Sequence, residues 1–126
     1  MEVQTLDHVN VRTRQLPSMI AWYEDILGLE VGPRPDFNFP GAWLYAGGRA
    51  FVHLVGTEDA GAAGSEGALK LEHFAFRAKD ARGFEQRLLA RGENFRRVEI
   101  TETNTVAFNI WDPDGNHIHV DFDLSE

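Results

Sequence analysis

Leu6-Asp7-His8-Val9-Asn10-Val11-Arg12 and Leu71-Glu72-His73-Phe74-Ala75-Phe76-Arg77 are two copies of one pattern. The first, third and seventh positions are identical, and the second is acidic in both copies. His73 follows His8 by 65 positions in a chain of 126. Side chains alternate along a strand, so His8, Asn10 and Arg12 are expected on one face and Val9 and Val11 on the other. His73, Ala75 and Arg77 share a face in the second copy, opposite Phe74 and Phe76. An apolar face behind a His-x-x-x-Arg face suits a strand that packs on a helix while lining a cavity. The pattern points to a duplicated domain.

Reading outward from each copy gives the same order of elements. Leu16, Met19, Ile20, Tyr23, Ile26 and Leu27 recur at helical spacing, Pro17 suits a first turn, and Gly28 suits a left-handed stop. Residues 30 to 40, rich in Gly and Pro around Phe37 and Phe39, read as a loop. Ala42–Ala46 and Ala50–Val55 read as strands joined at Gly47-Gly48, with Trp43, Tyr45 and His53 toward the cavity. The second half repeats this: a helix from an Asp80 cap to Arg91 closed by Gly92, then strands at Phe95–Ile100, Val106–Trp111 and His117–Phe122. Asn109 and Trp111 are expected on the cavity side, and Asp112-Pro113-Asp114-Gly115-Asn116 as a tight turn. On the last strand His117, His119 and Asp121 share a face. His119 matches His53 with one residue inserted. The fold class expected is α+β: two βαβββ modules, 1–56 and 70–126, joined by a flexible Gly-rich linker over 57–69.

Each half therefore offers one histidine on its first strand and one on its last: His8 and His53, then His73 and His119. Imidazole is the commonest metal ligand, and a divalent ion needs several donors from separate segments. Arg12 and Arg77, a matched pair of cations, could hold a carboxylate or enolate. Asn10, Trp43, Tyr45, Asn109 and Trp111 are candidates for a substrate wall, and Asp121 for a base.

The totals narrow the class. A net charge of −8 argues against nucleic acid or an anionic membrane as partner. No apolar run is long enough to cross a bilayer, and Met1-Glu2-Val3-Gln4 lacks the basic start of a signal peptide. There is no cysteine, which suits a reducing compartment, so a cytoplasmic location is expected.

The His8 and His73 openings, Trp22-Tyr23-Glu24-Asp25-Ile26-Leu27-Gly28-Leu29 and the closing Asp112-Pro113-Asp114-Gly115-Asn116-His117-Ile118-His119 resemble the vicinal oxygen chelate superfamily. That group includes glyoxalase I, bleomycin-resistance proteins, fosfomycin-resistance enzymes and extradiol dioxygenases. The resemblance implies mixed sheets that pair into a cup, within one chain or across a homodimer, with helices on the outer faces. It implies a divalent metal (Zn, Ni, Fe, Mn or Co) on His8, His53, His73 and His119, and a small substrate chelated through neighbouring oxygens. Isomerase, lyase or dioxygenase chemistry would follow. The chain departs from the pattern where the family usually carries glutamate, at His119 and, for glyoxalase I, at His53. The rival reading is a metal-free small-molecule-binding protein of the bleomycin-resistance kind.

Overall fold

In the computed structural model, which describes residues 1–58 and 70–126, the chain divides into two compact units, Met1–Ala62 and Ala63–Glu126. The first holds β1 (Val9–Thr13), α1 (Leu16–Asp25), β2 (Glu30–Gly32), β3 (Gly41–Ala46) and β4 (Arg49–Gly56). The second holds β5 (Phe74–Arg77), α2 (Ala81–Ala90), β6 (Phe95–Ile100), a 3-10 turn at Thr101–Thr103, β7 (Thr105–Trp111) and β8 (His117–Asp123). Each unit is a four-stranded mixed sheet with one helix. The strand orders are β1-β4-β3-β2 and β5-β8-β7-β6, the first pair in each parallel and the others antiparallel. The α+β class and the βαβββ modules are as the sequence indicated. Most of the expected linker, from 59 to 69, lies outside the described residues.

The elements form where local chemistry dictates. Helix α1 carries Pro17 in its first turn, buries Met19, Trp22 and Tyr23, and gives way at Gly28 with φ 69°. With Ile26 at its C-cap, it packs over Ala42, Leu44, Val52 and Leu54, all nearly inaccessible to solvent. Helix α2 starts at Asp80, whose carboxylate accepts the Gly83 amide at 2.9 Å, and stops before Gly92. Phe84 reaches Phe108 and Phe122, with ring centroids 5.5 and 5.6 Å away. Gly47 and Gly48 both have positive φ, as a two-residue hairpin turn with this twist requires.

Three expectations are corrected. Residues 30 to 40 are not all loop: Glu30–Gly32 pairs with Trp43–Tyr45 as a short edge strand. Its apolar signal is one exposed valine before Gly32-Pro33, too little to show in the sequence. Helix α1 ends at Asp25, short of Leu27. His8 and His73 sit one residue before β1 and β5, not within them.

Candidate functional site

In the first unit, Asn10 and Trp43 flank His53 in register on the neighbouring strands. That register puts His53 between two rings. His8 stacks on it at 3.9 Å and 12° from parallel, and Trp43 at 4.0 Å and 11°. The Nδ1–H of His8 donates to Asp7 Oδ2 at 2.6 Å, which leaves its Nε2 open. His8, His53, Trp43 and Asp7 line a cavity of about 390 Å³ together with Arg49 and Ala50.

In the second unit, Ala75 and Asn109 flank His119 in the same way. His73 stacks on His119 at 3.8 Å and 7°. His117 stands edge-on to His119, its ring centroid 4.8 Å away, and Trp111 stacks on His117 at 5.1 Å. Nitrogen atoms of His73, His117 and His119 all lie within 4.8 Å of one another, and such a group can hold a metal ion. Glu72 joins two of these rings, accepting from His73 Nδ1 through Oε2 and from His117 Nδ1 at 2.7 Å through Oε1. His117 Nε2 meets Asn109 Oδ1 at 2.9 Å, and Asn109 Nδ2 donates to the Arg96 carbonyl at 3.2 Å.

The four histidines picked out by the repeat are thus brought together as two pairs, one in each unit. Burial, then the charge of His8, pushes His53 below the usual imidazole range. Burial, then the neighbouring His73 and His117, does the same to His119. Both shifts favour the neutral ring, which is the form that binds metal. Asp7 and Glu72 are lowered first by their hydrogen bonds from histidine.

The other candidates divide. Asn109 is buried within the His117 network, Trp111 lies over His117, and Trp43 lies over His53. Asn10, Arg12 and Arg77 are exposed. Tyr45 is held at the sheet edge, its hydroxyl donating to the Pro33 carbonyl and its ring filling the space a Cβ on Gly32 would need. The β3–β4 register shifts between Leu44 and Tyr45, so Tyr45 pairs with Ala50 where unbroken pairing would give Phe51. Asp121 pairs in register with Arg77, and its buried Oδ1 has no hydrogen-bond partner among the described residues. Asp7, Glu72, Arg49 and His117 were not singled out by sequence. The acidic second position of the repeat was the available signal for the first two.

Comparisons with known proteins agree with this architecture. The glyoxalase/bleomycin resistance protein/dioxygenase superfamily profile matches residues 5–120. Glyoxylase I 4 of Arabidopsis thaliana is 26% identical over 125 residues, covering 95% of this chain and 71% of that protein. The structure of a glyoxylase/bleomycin resistance protein/dioxygenase domain from Frankia sp. EAN1pec superposes with TM-score 0.80 at 20% identity, covering 97% and 93% of the two chains. Lactoylglutathione lyase from Agrobacterium tumefaciens superposes with TM-score 0.72 at 18% identity, covering 97% and 96%. With a profile match spanning nearly its whole length, the chain belongs to the glyoxalase/bleomycin resistance protein/dioxygenase superfamily.

Proposed function

We propose that this protein is a divalent-metal enzyme acting on a small substrate chelated through neighbouring oxygens, with isomerase, lyase or dioxygenase chemistry. One observation carries the reading. In each module a histidine preceding the first strand lies against a histidine of the last strand, and a carboxylate holds its Nδ1 while Nε2 is left open. The donor set fits the group: neutral imidazoles suit zinc, nickel, iron and cobalt. His8 with His53, and His73 with His119, are the proposed ligand pairs. When bound, the ion would supply Lewis-acid stabilisation of negative charge on substrate oxygen, and uncharged ligands would leave its positive charge undiminished.

The chain's own groups have separable tasks in this reading. Trp43 walls the first-unit pocket, and Arg49 supplies a cation there for an anionic substrate. Asp121 carries the proton-accepting role: its Oδ1 is buried, bears no hydrogen bond among the described residues, and shares the strand face of His117 and His119. The proposal includes a homodimer, measurable by sedimentation.

Elemental analysis of protein purified without chelator tests the proposal, together with melting temperature against added Zn²⁺, Ni²⁺, Co²⁺, Mn²⁺ and Fe²⁺. Bound metal and a metal-dependent rise are expected. Protein with neither would favour the metal-free binding protein.

A further inference from the structure

Glu72 is half exposed, and a surface carboxylate next to a histidine ordinarily exchanges its hydrogen bond with water. Here it has a second anchor. Its other oxygen takes the Nδ1–H of His117, a ring whose side chain is only 6% exposed. That ring is fixed by Asn109 on the far side and by Trp111 against its face. Asn109 in turn is oriented by a backbone carbonyl of β6. Both ring nitrogens of His117 are engaged by side-chain oxygens, Nδ1 by Glu72 and Nε2 by Asn109. His73 has one nitrogen on the same carboxylate and the other open.

We propose that Glu72, His117 and Asn109 form a positioning relay that fixes the orientation and tautomer of His73, so that its Nε2 is the free ligand atom. The relay rests on the metal-site reading for its purpose, and on the hydrogen bonds alone for its existence. It crosses three strands and the segment before β5, tying His73 to the sheet interior. Among the described residues, the first unit has no counterpart. Phe51 stands two residues before His53 as His117 does before His119, and Trp43 takes the register position of Asn109. His8 is held by Asp7 without such an anchor.

The test uses the full chain and two readouts. The first is the ¹⁵N tautomer signature of His73 in metal-free protein, in wild type and in Glu72→Gln and His117→Phe variants. Wild type should show a protonated Nδ1 and a bare Nε2, and both variants should lose that fixed state while melting within a few degrees of wild type. The second is Zn²⁺ affinity by calorimetry, which should fall about 10- to 100-fold in Glu72→Gln, as expected when a group orienting a ligand histidine is removed. Glu72→Asp, which keeps the charge, should recover part of the loss. An unchanged His73 signature in both variants overturns the relay. So does a Zn²⁺ affinity within twofold of wild type in Glu72→Gln. If wild type binds no Zn²⁺, the metal-site reading fails, and the tautomer signature alone still decides the relay.

Discussion

The imidazole rings of His73 and His119 lie face to face, 3.8 Å apart and 7° from parallel. Rings in that arrangement hold their in-plane lone pairs in nearly parallel planes, along lines that do not meet near the rings. A tetrahedral ion bound through both would need those lines to converge at metal–nitrogen distances of about 2.0–2.1 Å. Metal binding should therefore fan the rings apart. Ring protons shielded by stacking should move downfield in NMR spectra on titration with Zn²⁺. Spectra unchanged for both residues at saturating Zn²⁺ would mean the pair does not ligate together.

Acid should weaken the fold through the same histidines. His53 and His119 have folded pKa values below the usual imidazole value near 6.5, chiefly because they are buried. Above that value both folded and unfolded chains hold them neutral, and these groups contribute no pH dependence. As pH falls through it, the unfolded chain takes up protons first, so stability drops until the lower folded pKa is passed. Melting temperature measured from pH 8 to pH 5 without metal should decline, and His53→Gln or His119→Gln should flatten the decline.

The second-unit core depends on Phe108, which is inaccessible to solvent and ringed by Phe84, Phe95 and Phe122 at centroid distances of 5.5 to 5.9 Å. Truncation to alanine removes the ring and leaves a cavity that three other aromatics cannot collapse to fill. Phe108→Ala should lower stability by about 3–5 kcal/mol in urea unfolding.

Asp112 closes the β7–β8 turn. Its Oδ1 accepts the amides of Asp114 and Asn116, and its Oδ2 accepts the Asn116 side chain at 2.8 Å. The residue is 4% exposed, and replacing it removes all three of these hydrogen bonds from the turn. Asp112→Ala should cost about 2–3 kcal/mol by thermal or urea unfolding. Because the turn leads straight into His117, it should also disturb the His117 and His119 resonances more than those of His53.

Much of the fold was legible because its signals are local. The Asp80 cap, the stops at Gly28 and Gly92, the Gly47-Gly48 turn and the Asp112 turn each follow from a few adjacent residues. Strand faces followed from a period of two, which put His53 on the cavity face of its sheet and His119 on the face of His73. The edge strand at Glu30 was hidden because pairing with β3, not its own pattern, makes it a strand. The site was legible down to its histidine pairs and no further. The bond between Glu72 and His117 spans 45 positions, and nothing adjacent to either residue announces it. Likewise, the bond from the Tyr45 hydroxyl to the Pro33 carbonyl spans 12 positions, and no local pattern announces it.

The strand registers also show where the two halves have parted company. Asn10 and Ala75, which flank His53 and His119, are 65 positions apart, whereas the two histidines themselves are 66 apart. The additional residue therefore lies in the second copy, after β5 and before β7. Trp43, Phe51 and Val55 of the earlier copy stand where the later one has Asn109, His117 and Asp121. Two of those exchanges set a hydrogen-bonded pair, Asn109 with His117, where the earlier copy has the rings of Trp43 and Phe51, and the shift in the β3–β4 register is a further difference. A protein engineer could carry the polar set back into residues 43, 51 and 55, and ask whether the ancestral sameness of the halves can be rebuilt.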